Sequence, residues 1–129
     1  MNHHSAAKTY QQSSIENAPP VKIVRLLYEG ALRAIDRAAI CDPKTERRAF
    51  VQQVCRANDI VAELRVAPER EPAPEIADGL ERVYEFVQFQ FAQAHLHNDI
   101  QPLAHARKAL ATLLEGWRQI ELQTAGNNG

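Results

Sequence analysis

Apolar side chains recur along this chain at steps of three and four residues, which is the period of an α-helix. Between Val21 and Ile40 the charged residues Lys22, Arg25, Glu29, Arg33 and Asp36 follow that step. At 100° per residue they occupy an arc of only about 80°. The rest of the circumference is apolar or small: Ile23, Val24, Leu26, Leu27, Tyr28, Gly30, Ala31, Leu32, Ala34, Ile35 and Ala38. A surface helix needs an apolar stripe of roughly 100° or a little more. This segment is therefore predicted to carry apolar surface beyond what one core contact consumes.

Asp42-Pro43 reads as a helix start, a capping carboxylate followed by proline at the first helical position. The helix behind it places Phe50, Val54, Ala57, Val61 and Leu64 at alternating steps of four and three, the spacing of a bundle seam. It ends before Pro68, and the stretch 68–74, with three prolines and three charges, reads as a stiff connection. A third helix is predicted from Glu75 to His97, with Ile76, Leu80, Val83, Val87, Phe91 and Ala94 as its seam. Tyr84, Phe86 and Phe89 lie off that line, so this helix too is predicted to show extra apolar surface. Asn98-Asp99 marks a break and a new cap, and Pro102 is tolerated in a first turn whose N–H groups lack intrahelical partners. The last seam runs Leu103, Ala106, Leu110, Leu113, Trp117 and Ile120, until Gly126 and the Asn-Asn-Gly tail stop the helix.

No segment alternates with period two for long enough to be a strand. Four long helices joined by short connections predict an all-α fold, an antiparallel four-helix up-and-down bundle. Residues 1–20 form a polar N-terminal arm that ends in Pro19-Pro20 and carries the large apolar side chains Tyr10 and Ile15. The bundle then occupies 21–125 and a short tail 126–129. Cys55, among helical apolar positions, is expected in the core, and Cys41 at a helix end.

Charge narrows the choice of partner. Fifteen basic and sixteen acidic side chains leave a net charge of −1, with no drive toward nucleic acid or an anionic membrane. No stretch approaches the ~20 apolar residues of a membrane span. The first ten residues lack the apolar run of a secretory signal, so a cytoplasmic location with reduced thiols is expected. Two cysteines are too few and too far apart for a zinc site. A di-iron bundle needs Glu-x-x-His on facing helices, and no Glu here has a His three residues later. His95 and His97 fall on different faces of a helix, His3 and His4 lie in the arm, and His105 is on a polar side. A Gly-x-Ser-x-Gly elbow and a glycine-rich phosphate loop are both absent. No catalytic residue, metal ligand or cofactor is expected, and the chain does not read as an enzyme. The apolar surplus remains, and its candidate uses are a groove for a foreign amphipathic helix or a homodimer contact. A metal-binding bundle is the other alternative.

Several short runs then point one way. Thr9-Tyr-Gln-Gln-Ser-Ser-Ile-Glu-Asn-Ala-Pro-Pro20, followed by Leu26-Leu-Tyr-Glu-Gly-Ala-Leu32, resembles the opening of the flagellin export chaperones, the FliS family. Ala57-Asn-Asp-Ile-Val-Ala-Glu-Leu64, Val83-Tyr-Glu-Phe86, Ala94 with Asn98-Asp99, and Trp117 extend the likeness, in order and spacing, over about residues 8 to 122. The resemblance implies a cytosolic chaperone whose bundle is capped by its N-terminal arm. It implies binding of flagellin's C-terminal helical segment, which would otherwise polymerise early, and delivery of that cargo to the flagellar export gate. By position, Tyr10 would lie over the groove, Leu26, Leu27, Tyr28 and Gly30 would form the groove helix, and Tyr84 its neighbour. This chain departs from the family pattern at Gln88-Phe-Gln-Phe91, where an Arg-rich turn is usual, at Pro19, and in its Pro-rich link.

Helical geometry refines that set. With Ala31 and Ala38 at the centre of the bundle-facing stripe, Leu27 lies within about 40° of it. Leu26 and Gly30 lie about 100–140° away on one flank, with Ile23 between. A glycine in mid-helix costs on the order of 1 kcal/mol relative to alanine, and close approach of a partner's backbone would be a reason for Gly30. The expected partner-binding residues are thus Tyr10, Ile15, Ile23, Leu26, Leu27, Tyr28, Gly30 and Tyr84.

Overall fold

The computed structural model describes residues 20–66 and 74–128. Among these residues the chain forms four α-helices, α1 (Pro20–Ala39), α2 (Arg47–Arg65), α3 (Pro74–His97) and α4 (Gln101–Asn128). α1 packs against α2 and α4, and α3 packs against α4 and α2. Helices consecutive in sequence are thus neighbours in space, the up-and-down arrangement that short connections require. The arm 1–19 and the link 67–73 lie outside the described residues.

α2 carries its seam as the spacing predicts: Phe50, Val54, Ala57, Val61 and Leu64 are all buried. The expected helix start at Asp42 is corrected in detail. The Asp42 carboxylate accepts hydrogen bonds from the Lys44 and Thr45 amides (2.9 and 3.3 Å), and Glu46 Oε1 accepts one from the Asp42 amide (2.8 Å). Those amides hold the Asp42 carboxyl below the ordinary aspartate range. They organise a turn over 43–46, and the regular helix begins only at Arg47.

Two seams shift by one residue. In α3 the buried positions are Leu80, Tyr84, Val87, Phe91 and Ala94, while Val83 is half-buried and Ile76 is exposed. Starting from Leu80, a step of four lands on Tyr84 and a further three on Val87, and that tyrosine enters the core because a buried hydroxyl partner awaits it. In α4 Leu103, Ala106, Leu110 and Leu114 are buried, Leu113 and Trp117 are half-buried, and Ile120 is exposed. Cys55 also corrects the expectation, because it is exposed. It follows the seam residue Val54 directly, and one residue turns a side chain about 100° around the helix.

The α3–α4 corner follows the predicted break. Asn98 has φ 51°, the left-handed conformation that asparagine tolerates at a helix end. The Asp99 amide donates back to the Ala94 carbonyl (3.1 Å), and Asp99 Oδ1 accepts from the Gln101 amide (2.9 Å) at the start of α4. At its other end α4 runs through Gly126 to Asn128, past the expected stop. A glycine lowers helix stability without forbidding the conformation.

Truncating Phe50, which is fully buried, to alanine should cost about 3–5 kcal/mol in urea unfolding. Cys55→Ala should stay within about 0.5 kcal/mol of wild type in the same measurement.

Candidate partner-binding surfaces

α1 is the helix on which the sequence places most of the binding residues, and the structure sends its apolar side chains mostly inward. Ile23, Val24, Leu27, Tyr28, Ala31, Ala34, Ile35 and Ala38 are all buried. Leu26 and Leu32 are half-buried, and no large apolar residue of α1 is exposed. The surplus expected on this helix is absorbed by its own bundle, because α1 has α2 on one flank and α4 on the other. Gly30 is buried as well, and a Cβ there would lie 3.5 Å from Ile60 Cδ1. That is an ordinary van der Waals contact with a side chain of α2.

Tyr28 and Tyr84 meet across the bundle. Their hydroxyls are 2.7 Å apart and their rings tilt at 45° with centroids 6.4 Å apart. Helices α1 and α3 are thereby tied at one buried polar point. Burial pushes the Tyr28 phenol above the ordinary tyrosine range, and its hydrogen bond to Tyr84 offsets part of that rise.

The charged arc of α1 also has a use. Arg25 Nε donates to Glu121 Oε1 at 2.5 Å and Arg25 reaches Glu29 at 3.1 Å, while Arg118 reaches Glu29 at 3.2 Å. Farther along, Arg107 pairs with Asp36 at 2.7 Å. This row of ion pairs links the edge of α1 to α4. On the other side of the molecule Arg65 of α2 pairs with Glu81 and reaches Glu85 at 3.7 Å on α3. Gln88 accepts from Arg65 at 2.6 Å and donates to Asn58 at 2.9 Å. An open cleft of ≈ 350 Å³ lies here, lined by Ala62, Arg65, Val66, Glu81 and Gln88.

Of the expected site residues, Ile23, Leu27, Tyr28, Gly30 and Tyr84 lie in the interior, and Leu26 keeps exposed surface on the flank of α1. Tyr10 and Ile15 lie outside the described residues. Among the described residues the exposed aromatic side chains are instead on α3, where Phe86 is 45 % and Phe89 57 % exposed, with Leu96 at 72 %. Sequence reasoning singled out Phe86 and Phe89 as lying off the seam but did not assign them to the site. Among the described residues no three His, Cys, Asp or Glu side chains gather as a metal site. No helix there is long and apolar enough to cross a membrane.

The pattern of the flagellar protein FliS matches residues 2–124 of this chain. The chain belongs to the FliS family. It is 31% identical over 122 residues to the flagellar secretion chaperone FliSB of Pseudomonas aeruginosa, covering 89% of this chain and 94% of that protein. It is 29% identical over 121 residues to the flagellar secretion chaperone FliS of Salmonella typhimurium, covering 90% of each. The flagellar secretion chaperone FliS of Campylobacter jejuni is 28% identical over 120 residues, covering 93% of this chain and 94% of that protein. The FliS match thus takes in all four helices down to residue 124 and most of the N-terminal arm.

The tyrosine pair makes a prediction about alkaline stability. A phenol whose folded pKa is raised leaves the unfolded chain losing protons first, so stability must fall as pH climbs above about 10. Urea unfolding between pH 8 and 11 should show that decline, and it should be shallower in Tyr28→Phe. At neutral pH the double-mutant cycle of Tyr28→Phe and Tyr84→Phe should return a coupling of about 0.5–1.5 kcal/mol.

Proposed function

We propose that this protein is a cytosolic flagellar export chaperone that binds the C-terminal helical segment of a flagellin, holds it from polymerising, and delivers it to the export gate. The observation that carries this reading is the FliS match along residues 2–124, supported by relatives that are flagellar secretion chaperones. A monomer awaiting assembly exposes amphipathic helices, and apolar patches beyond a few hundred Å² invite aggregation. An α-helical partner that covers such a segment and later lets it go serves both needs.

In this reading the cargo meets the Leu26 flank of α1. Leu26 is half-buried while Leu27, Tyr28 and Tyr84 are buried, so Leu26 supplies contact and the others fix its position, as do Ile23 and Gly30. Tyr10 and Ile15 in the arm cover that flank when cargo is absent. Burying one such side chain contributes roughly 1.5–3 kcal/mol, enough for a lid that cargo can displace. Extended, reversible contact suits a segment that must leave unfolded, since folding on binding lowers the affinity per unit area.

Calorimetry with a flagellin C-terminal fragment should show saturable binding with a negative heat-capacity change. Leu26→Lys should abolish it while shifting the melting temperature little. Leu27→Lys should unfold the protein, because its charge would be buried without a partner. No binding to any flagellin of the same cell, or equal loss of fold in both variants, would overturn this assignment.

A further inference from the structure

The two edges of α1 differ in how their charges are used. On the α4 side Arg25, Glu29 and Asp36 are held in ion pairs. On the α2 side Arg33 and Arg37 of α1, with Arg56, Asp59 and Glu63 of α2, are exposed. Among the described residues none of these five is in an ion pair. They border the flank that carries Leu26. At 100° per residue Leu26, Gly30, Arg33 and Arg37 lie about 100–160° to one side of Ala31, and Arg56, Asp59, Ile60 and Glu63 lie about 60–160° to the facing side of Ala57. The two sets meet at Gly30, where a Cβ would sit 3.5 Å from Ile60 Cδ1 and 3.7 Å from a guanidinium nitrogen of Arg33.

That contact puts Gly30 and Ile60 level, and a rise of 1.5 Å per residue then orders the charges along the flank. Glu63 stands beside Leu26, about 5 Å toward the start of α1, and Asp59 is near the level of Gly30. Arg33, Arg56 and Arg37 follow, about 4 to 11 Å toward the end of α1. Carboxylates therefore border one end of the flank and three guanidiniums the other. Lys22 lies beyond Leu26 but about 180° from Ala31, on the outer face of α1.

We propose that this gradient fixes the direction of the bound segment. The cargo helix lies on the Leu26 flank parallel to α1, its N-terminal end beside Glu63 and its C-terminal end over Arg33, Arg37 and Arg56. The proposal rests on the flagellin reading above and adds the polarity of the bound helix to it. A helix carries roughly half a positive charge at its N-terminus and half a negative charge at its C-terminus. α1 and α2 run in opposite directions, so their own dipoles largely cancel beside the flank and the side chains decide. In the parallel direction the three guanidiniums face the last carbonyls of the cargo helix, which lack intrahelical partners, and can donate to them. In the reverse direction they would face its first N–H groups, donor against donor and positive against positive.

Calorimetry and paramagnetic broadening on the full chain test the polarity. At low salt Arg33→Gln and Arg37→Gln should each weaken binding of a flagellin C-terminal fragment by roughly two- to five-fold, and the effect should fade as salt is raised. Lys108→Gln, the same loss of charge at an exposed position of α4, should leave the affinity unchanged. For direction, the fragment carries a nitroxide at either the first or the last residue of its helix, and amide signals of the chaperone are followed. The label at the last residue should broaden Arg33 to Ala39 most, and the label at the first residue Lys22 to Leu26. The opposite pattern, or equal broadening by both labels, would overturn the polarity and leave the cargo site in place. Arginine variants that bind like Lys108→Gln would overturn it as well. A fragment that binds without either label broadening α1 would overturn the site itself, and the polarity with it.

Discussion

The breadth of the apolar surface on α1 is the constraint to which the rest of the bundle answers. A helix with so narrow a charged arc cannot lie on a surface, and here its broad apolar side faces the interior, with α2 and α4 on its flanks. Its charged arc is then spent on ion pairs to α4 through Arg25, Glu29 and Asp36. Such pairs, part-exposed and screened by salt, contribute modestly. Apolar burial does most of the stabilising, and the polar contacts settle which edge faces which neighbour. The Tyr28–Tyr84 contact adds specificity to this arrangement. A buried phenol without a partner is costly, so the hydroxyls at 2.7 Å favour the one register of α1 and α3 that brings them together.

How much of this was legible depended on whether a position competes with its neighbours. In α2 one four-three series stands out and every member of it is buried. In α3 Val83 and Tyr84 are both credible core residues, and spacing alone allows either. The hydroxyl of Tyr28, on another helix, decides for the tyrosine, and nothing local in the sequence records that. Cys55 shows the converse, since a residue can be small, apolar in habit and next to the seam, yet face solvent because of a single step of rotation. The apolar excess on two helices was legible, but not which part of it the bundle would bury. Among the described residues α1 buries most of its own, while α3 leaves Phe86, Phe89 and Leu96 exposed.

The run Gln88-Phe-Gln-Phe91 illustrates how one turn of helix can serve several ends. Gln88 links Arg65 and Asn58 on α2, Phe91 fills the core, and Phe89 points out into solvent. Successive residues 100° apart must diverge in this way. The departure from the family pattern at this turn therefore joins α2 to α3 and also leaves an aromatic side chain on the outer face.

α1 is the centre of the core, so the proposed function requires cargo to be taken up on its flank without the bundle opening. Hydrogen exchange followed residue by residue, with and without a flagellin C-terminal fragment, tests this most directly. The amides from Leu27 to Ala38 should exchange as slowly with cargo bound as without it, at the rate set by global unfolding. Faster exchange of those amides in the complex would mean that cargo enters by prising α1 from the bundle, and would contradict the account.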